Sequence, residues 1–336
     1  MRSAAAVLGT GAWGTALANV IARARPGERV VLWGRDPARV ARLAEMRENT
    51  DHLPGVPLED GVAPTTDLGS LALAPAVLVV TPAQATRASL EALAHALTPG
   101  QPLVMCSKGI ERASGAFQSE VAAEAAPGHP VCVLSGPSFA ADVATGKPVA
   151  VTLACANDAP TQTLLDLFRI PTFRVYLTDD LLGAQIGGAL KNVLAIACGI
   201  VDGKGLGESA RAALISRGFA EMVRLGLNIG ARVETLSGLS GLGDLVLTCS
   251  SAQSRNCSLG MELGQGRPLD QILKARASVT EGVASAQPVL AMARERNLEM
   301  PISEAEARIT AGAVTVDEAI LDLLSRPLKT EADRPI

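Results

Sequence analysis

The order of apolar segments along the chain constrains its fold more than any other feature. Over the first 180 residues, short apolar runs alternate with longer segments of helical periodicity, whereas the pattern after Asp180 is helical throughout. Strands that alternate with helices form parallel βαβ units, so the first region predicts a doubly wound, mostly parallel α/β sheet. Strands are predicted at 4–8, 29–33, 77–80, 103–106, 131–134, 150–153 and 173–176.

A chain of 336 residues is too long for one hydrophobic core, which predicts two domains. The change of pattern places the boundary near residue 180, so we expect an α/β domain at 1–180, an all-helical domain at 181–328 and a polar tail at 329–336. Helices of the second domain are predicted at 181–201, 209–227, 253–265, 268–274, 282–296 and 303–312.

Composition excludes several classes of partner. The net charge of -4, the scattered Lys and Arg residues and the single Tyr argue against nucleic acid. The six cysteines form no CxxC pair and lie mostly in apolar runs, which predicts reduced thiols in a cytoplasmic protein rather than disulfides or a metal site. The apolar segment 181–201 carries Gln185, Lys191 and Asn192, so we expect a buried helix and no membrane span.

A glycine pattern follows the first predicted strand. Gly9, Gly11 and Gly14 spell GxGxxG where that strand ends and a helix begins. In this context the glycines allow a tight turn, close approach of a pyrophosphate and close packing of the helix, whose N-terminus faces the anion. The pattern predicts a Rossmann-type dinucleotide site, and a glycine-rich turn without a ligand is the alternative.

The end of the second predicted strand bears on the choice of cofactor. NAD-selective sites usually carry an acidic residue there, whereas this strand runs into Gly34 and Arg35. A guanidinium at Arg35 would pair with a 2′-phosphate and favour NADP, while Asp36 beside it keeps NAD open. Arg35 as a solvated loop residue is the structural alternative.

Lys191 and Asn192 lie in a helix that is apolar on nearly every face. Burial disfavours the ammonium, so a lysine there is shifted toward a pKa at which it exchanges protons near neutral pH. That property suits a general acid and base. The alternative is a lysine whose amine reaches the surface or pairs with a carboxylate for structural reasons.

Further polar residues follow strand ends or glycine-rich turns. Lys108 comes directly after a predicted strand, where ligands of open α/β sheets bind, and Ser135-Gly-Pro-Ser-Phe139 follows another. Taken singly, Lys108 is a solvated loop residue, Asp244 a helix cap and Arg255 a surface charge.

Taken together, these segments resemble the bacterial NAD(P)-dependent glycerol-3-phosphate dehydrogenase family up to about residue 325. The resemblance rests on GTGAWGTALA (9–18), LWGRDP (32–37), SKGIE (107–111), SGPSFA (135–140), GGALKNVLAIACGIVDG (187–203), ARAALISRG (210–218), GLSGLGDLVLTC (238–249), SRN (254–256), VTEG (279–282) and MPI (300–302). It implies an N-terminal Rossmann-type domain followed by a helical domain of the 6-phosphogluconate-dehydrogenase-like type.

The resemblance also implies a reaction: reversible hydride transfer between nicotinamide C4 and substrate C2, interconverting dihydroxyacetone phosphate and sn-glycerol 3-phosphate for phospholipid synthesis, in a homodimer. The implied catalytic residues are Lys191, the proton donor and acceptor, with Lys108, Asn192, Asp244 and Thr248. The substrate would be held by Lys108, Gly136, Ser138, Lys191, Asp244, Ser254, Arg255 and Asn256. NADP or NAD would be bound by Gly9, Gly11, Ala12, Trp13, Gly14, Arg35, Lys108, Ala140, Arg255, Val279 and Glu281.

Two positions depart from many relatives. Ala12 replaces a serine and so removes a hydroxyl contact, and Thr81-Pro-Ala-Gln84 replaces a Pro-Ser-His-like stretch, which leaves the nicotinamide contacts there open. Two other functions remain as alternatives. One is a related 3-hydroxy acid dehydrogenase or ketopantoate reductase, which also places a lysine on the first long helix of a helical domain. The other is a dinucleotide-binding regulator without turnover.

Overall fold

One eight-stranded sheet organises the N-terminal half of the computed structural model, which describes residues 3–156, 160–276, 280–328 and 330. The strands are β1 Ser3–Leu8, β2 Arg29–Trp33, β3 Val62–Thr65, β4 Val77–Val79, β5 Leu103–Met105, β6 Val131–Ser135, β7 Val149–Cys155 and β8 Phe173–Thr178. Their order is β3-β2-β1-β4-β5-β6-β7-β8. Neighbours pair in parallel except β6 and β7, which are antiparallel.

Fifteen α-helices lie in the described part of the chain. They are α1 Ala12–Ala24, α2 Pro37–Met46, α3 Thr86–Ala94, α4 Gln118–Ala125, α5 Ala140–Ala144, α6 Thr161–Asp166, α7 Leu181–Gly203, α8 Glu208–Asn228, α9 Val233–Leu236, α10 Asp244–Cys249, α11 Arg255–Gly264, α12 Leu269–Ala275, α13 Glu281–Glu295, α14 Pro301–Thr310 and α15 Val316–Leu324. Short 3-10 helices span Leu68–Leu73 and Ala83–Ala85, and a π-helical turn spans Leu239–Gly243.

Helices cover both faces of the central strands, which explains why those strands are continuously apolar. On one face, Val7 of β1 packs in a core cluster with Leu17 of α1. On the other, Leu8 of β1 packs in a second cluster with Leu90 of α3. Alternate residues of one strand therefore enter two different cores, as a doubly wound α/β fold requires.

Helix α7 is the centre of the helical half. Leu190 and Leu194 pack with α8, α13 and α14, while Ile196 and Ile200 pack in a separate cluster with α11 and α12. The helix has the length and apolarity of a membrane span, but 94% of its apolar window is buried inside the protein. That degree of burial is typical of a core helix, which agrees with the prediction made for 181–201.

The predicted fold class is confirmed, with differences in detail. All seven predicted strands are present, and the last two run opposite to the rest. Strand β3 was not predicted, because it is short, contains Pro64 and is largely half-buried. Helices α9, α10 and α15 were not predicted either, since their short, glycine-flanked or acidic sequences carry little apolar periodicity.

Candidate active site

The predicted phosphate cradle forms the turn between β1 and α1. Gly9 has a φ of +130°, and a Cβ at this residue would lie 2.8 Å from the Val80 carbonyl oxygen. A Cβ on Gly14 would lie 2.0 Å from the Gly9 carbonyl oxygen, so α1 packs this closely only with glycine there. At Gly11, which caps α1, no atom beyond the adjoining residues lies within 4 Å of the Cβ position. The N-terminus of α1 therefore remains open to an anion.

Three further residues predicted to contact the cofactor come together beside this turn. Ala12, Trp13 and Ala140 are half-buried and pack at the edge of the same core cluster, where α1 meets α5. The indole Nε1 of Trp13 is buried and has no hydrogen-bond acceptor among the described residues. Because a buried N–H group normally has a partner, this atom marks a place where a bound ligand would supply one.

Arg35 and Asp36 have separate roles at the end of β2. The Asp36 carboxylate accepts hydrogen bonds from the backbone N–H groups of Ala38, at 3.0 Å, and Arg39, at 3.3 Å, and so caps α2. Arg35 is exposed, and no acceptor among the described residues pairs with it. A backbone hydrogen bond from Gly9 to Trp33 places this strand end beside the glycine turn. The Arg35 guanidinium therefore lies at the strand end next to the glycine turn.

A buried carboxylate at the start of α10 joins a lysine of α7 to a lysine that follows strand β5. Lys191 Nζ lies 2.6 Å from Asp244 Oδ1, and Lys108 Nζ lies 2.7 Å from Asp244 Oδ2. The Lys191 amine also donates to Thr248 Oγ1 at 3.1 Å, and the Lys108 amine donates to the Gly136 carbonyl at 2.9 Å. Asp244 is 1% exposed and Lys191 7% exposed, so both are almost entirely shielded from water.

The electrostatics of this cluster tune the Lys191 amine. Burial, together with the nearby charge of Lys108, lowers the pKa of Lys191 to about 8, although Asp244 acts in the opposite direction. Burial tends to raise the Asp244 pKa, but the charges and hydrogen bonds of the two lysines outweigh it, so the pKa is lowered. Lys191 therefore exchanges a proton near neutral pH, while Asp244 stays ionised.

A close helix contact brings Asp244 to Lys191. Gly187 lies one turn before Lys191 on α7, and a Cβ there would lie 2.2 Å from the Ser240 carbonyl oxygen. The π-helical turn Leu239–Gly243 therefore rests directly on the backbone of α7. Helix α10 begins at Asp244, directly after this turn, so the Asp244 carboxylate reaches the Lys191 amine. Gly243 is the N-cap of α10, which corrects the interpretation of Asp244 as a helix cap.

Two asparagines link the lysine helix to its neighbours. Asn192 Nδ2 donates to the Gly188 carbonyl at 3.2 Å and to the Lys108 carbonyl at 3.3 Å. Asn256 Nδ2 donates to Asn192 Oδ1 at 2.9 Å, and Asn256 Oδ1 accepts from the Gly282 N–H at 3.0 Å. This chain of amides holds α7, α11 and α13 in fixed relation around the lysine pair.

The remaining predicted substrate residues border the same region. Ser138 Oγ donates to the Gly136 carbonyl at 3.0 Å, the group that also accepts from Lys108. Ser254 is buried, and its hydroxyl accepts from the Cys257 N–H at 3.2 Å as the cap of α11. Arg255 is exposed, and its guanidinium has no acceptor among the described residues.

Glu281 joins the helical half to the sheet half. Its Oε1 accepts from the Ala83 N–H at 3.2 Å, in the segment after β4, and its Oε2 is buried without a partner among the described residues. Burial raises the pKa of this carboxyl. Gln84, in the segment that departs from many relatives, donates to the Ile110 carbonyl at 2.7 Å. Val279 and the predicted tail apart from Thr330 lie outside the described residues.

His52 was missed by the sequence analysis. Burial and the charges of Arg39 and Arg255 lower its pKa, against the opposing effect of Asp51. The Arg255 charge also acts to lower the pKa of Glu281, against the effect of burial. The Arg255 guanidinium therefore acts electrostatically on a histidine of the sheet half and on a carboxyl of the helical half. A single histidine in a polar loop carries no sequence signal of this arrangement.

A doubly wound sheet with an open glycine turn, next to a helical region with a buried and paired lysine, defines the class of NAD(P)-dependent dehydrogenases. Residues 4–161 match the family model described as NAD-dependent glycerol-3-phosphate dehydrogenase N-terminus, and residues 180–321 match the model of its C-terminus. The chain belongs to this family.

Individual relatives support the assignment to this family. The chain is 56% identical over 326 residues to a glycerol-3-phosphate dehydrogenase [NAD(P)+] of Parvibaculum lavamentivorans, covering 97% of each protein. It is equally identical to that of Caulobacter vibrioides, covering 97% of this chain and 98% of the relative. The crystal structure of glycerol-3-phosphate dehydrogenase from Coxiella burnetii matches with a TM-score of 0.91 and 37% identity, covering 96% of this chain and 98% of that one.

Proposed function

We propose that this protein is an NAD(P)-dependent sn-glycerol-3-phosphate dehydrogenase, which reduces dihydroxyacetone phosphate to sn-glycerol 3-phosphate and catalyses the reverse reaction. The observation that carries the proposal is Lys191, a buried amine 2.6 Å from an equally buried carboxylate. The family relationship supplies the substrate. We further propose that residues 1–180 bind the cofactor and that residues 181–328 carry the chemistry.

The cofactor would lie along the glycine turn. Open space at Gly11 and the unpartnered Trp13 indole fit a bound dinucleotide, as does the unpaired Arg35. Gly9, Gly14, Ala12 and Ala140 would complete its surroundings, and Lys108, Arg255, Val279 and Glu281 would border the nicotinamide end. When bound, the nicotinamide ring supplies or accepts the hydride at C4.

Lys191 would handle the proton. Reduction of a ketone builds negative charge on its oxygen, and a protonated Lys191 beside that atom stabilises the charge and donates a proton to it. Oxidation needs the neutral amine, which takes the proton from the hydroxyl. A pKa of about 8 makes both forms available near neutral pH. Asp244 would orient the amine and balance its charge, while Thr248 accepts one of its hydrogen bonds.

The phosphate end of the substrate needs fixed cationic and amide donors. Arg255 is exposed and its guanidinium has no acceptor among the described residues, and Lys108 lies between the Asp244 carboxylate and the Gly136 carbonyl. Gly136, Ser138, Ser254 and Asn256 border the same space. Because Asn192 and Asn256 already hydrogen-bond to each other, we expect them to fix the shape of the site as well as contact the substrate.

The test is steady-state kinetics with a panel of carbonyl substrates. We expect rapid oxidation of NADPH or NADH with dihydroxyacetone phosphate and little with ketopantoate or 3-oxo acids. Preference for either of those acids would point to the related dehydrogenases. Tight cofactor binding without turnover on any member of the panel would favour a regulator and overturn the proposal.

We also propose a homodimer in the cytoplasm. Tyr176 of the edge strand β8 is about half exposed, at 53%, and would be covered in a dimer. All six cysteines are free and buried, which suits a reducing compartment. Light scattering on the purified protein and fractionation of cells test the two statements separately.

A further inference from the structure

Two cysteines face each other across the antiparallel pair of strands. In the register of β6 and β7, Cys132 lies directly opposite Cys155. Directly opposite residues of antiparallel strands point to the same face, and their Cα separation of about 4.5–5.5 Å falls within the range that a disulfide bridges. Both side chains belong to the same core cluster. The backbone therefore already holds this pair in a geometry close to that of a disulfide.

We propose that Cys132 and Cys155 form a redox site, in which a peroxide converts the two thiols into an intramolecular disulfide that a dithiol reduces again. Cytoplasmic disulfides of this kind are transient and redox-sensing rather than structural. The site is independent of the dehydrogenase chemistry.

Cys155 is the thiol that would react first. The Cys132 thiol hydrogen-bonds to the Cys155 sulfur and lowers the Cys155 pKa, burial opposes this effect, and the Thr161 hydroxyl adds to the lowering. A hydrogen bond between the sulfurs also places Cys132 next to the atom that it would attack.

The reaction balances with one peroxide. The Cys155 thiolate attacks a peroxide oxygen and breaks the O–O bond, giving a sulfenic acid and, after protonation, water. The Cys132 sulfur then attacks the Cys155 sulfur, the S–O bond breaks, and a second water leaves. Two thiols are oxidised by two electrons, and hydrogen peroxide is reduced to two molecules of water.

A cleft gives small oxidants access to Cys155. Cys155 is 6% exposed and lines a cleft of about 330 Å³ with Ala156, Thr161 and Leu177. Cys132 is fully buried behind it. This arrangement suits a reactive cysteine that meets the oxidant and a second cysteine that resolves the sulfenic acid.

The other cysteines provide internal controls. Burial raises the pKa of Cys106 far above its ordinary range and that of Cys257 to about 11. The Cys249 pKa is raised by its hydrogen bond with Cys198 and by burial. High thiol pKa values and burial make Cys106, Cys249 and Cys257 poor nucleophiles. Cys249 also contacts Cys198.

The two cysteines flank a segment that carries three of the predicted site residues. A bond between Cys132 and Cys155 would close the loop that carries Gly136, Ser138 and Ala140. Since a disulfide restricts the unfolded chain, we expect the oxidised protein to melt roughly 5 °C higher than the reduced protein.

The main test uses the wild-type protein. It is treated with hydrogen peroxide, quenched with catalase, alkylated under denaturing conditions and digested without reduction. We expect a peptide pair joined through Cys132 and Cys155, which dithiothreitol releases. Recovery of both residues as alkylated thiols would overturn the proposal, as would a crosslink that forms only among Cys198, Cys249 and Cys257.

Variants separate the two roles. With Cys132→Ala, the sulfenic acid at Cys155 has no resolving thiol, so dimedone should label Cys155. With Cys155→Ala, dimedone should not label Cys132, whereas Cys257→Ala should form the disulfide as the wild type does. Labelling of Cys132 in the Cys155→Ala protein would contradict the assigned order of attack, and the wild-type peptide map decides the site even if a variant folds poorly.

Discussion

The glycine turn after β1 and the lysine cluster around Asp244 differ in the groups that form them. The turn is formed by backbone atoms, and it depends on the lack of side chains at Gly9, Gly11 and Gly14. The cluster consists of charged side chains that satisfy one another almost out of contact with water. Backbone N–H groups bind an anion and do not change protonation state, whereas paired charges set the pKa of a side chain that transfers a proton. Cofactor affinity and chemistry should therefore respond to different substitutions.

Replacement of Lys191 by methionine should have the largest effect. It removes the proton donor and keeps the volume of the side chain, so we expect turnover to fall roughly 10²- to 10⁴-fold while the dissociation constant for NADPH stays nearly unchanged. Stopped-flow kinetics and fluorescence titration measure the two quantities. A fall in cofactor affinity as large as that in turnover would show that the two halves are not separable in this way.

Gly187→Ala should affect catalysis through position alone. Its Cβ would lie 2.2 Å from the Ser240 carbonyl oxygen, which forces the π-helical turn and Asp244 away from Lys191. We expect kcat to fall roughly 10- to 100-fold with little change in cofactor binding. Gly11→Ala is the matched control, because no atom beyond the adjoining residues lies within 4 Å of its Cβ: stability should be kept and cofactor affinity lowered. Identical profiles for the two variants would refute the comparison.

The two directions of the reaction should depend on pH in opposite ways. The Lys191 pKa is lowered to about 8, so the protonated form needed for reduction predominates below that value and the neutral form needed for oxidation predominates above it. We expect reduction to fall about tenfold per pH unit well above about pH 8, and oxidation to rise from low pH to a plateau there. Profiles that rise and fall together would remove Lys191 as the shared group.

Arg35→Ala tests the sheet half on its own. The guanidinium has no partner among the described residues, whereas Asp36 is engaged in capping α2. We expect the KM for NADPH to rise about tenfold and that for NADH to change little, since only NADPH carries the 2′-phosphate. Kinetics with both cofactors measure this, and equal changes would place Arg35 outside the phosphate site.

Glu306→Gln should have the smallest effect, on stability. Both carboxyl oxygens of Glu306 are buried without partners among the described residues, and burial raises its pKa well above the ordinary value. A raised folded-state pKa means that wild-type stability falls as pH rises above about 4.5, so Gln should stabilise the protein by about 1 kcal/mol at pH 8 and less at pH 4.5.

Glu221→Gln is the control for that substitution. The Glu221 carboxylate accepts hydrogen bonds from the N–H groups of Ile302 and Ser303 and from the Ser303 hydroxyl, at the start of α14. Replacing it should lower the melting temperature, whereas Glu306→Gln should raise it. Thermal denaturation across pH would contradict the account if both variants moved in the same direction.

Sequence reasoning worked best where the requirement is local. The glycine turn needs particular residues within one short segment, and the buried strands need continuous apolar runs, so both were read directly. It failed for β3, whose Pro64 and half-buried side chains imitate a loop, and for α10, which is too short to show a period. His52 was not predicted as a site residue, because Arg39 and Arg255, whose charges act on it, lie outside its own segment.

The amino-acid sequence by itself determined the α/β fold with its helical second half, the glycine turn, and the presence of a lysine in an apolar helix. Only the tertiary structure decided what surrounds that lysine. Asp244 contacts it because Gly187 has no side chain and lets the π-helical turn pack against α7. Lys108 contacts the same carboxylate from the segment that follows strand β5. The physical reason is that backbone conformation depends on neighbours in sequence, whereas burial and charge pairing depend on neighbours in space.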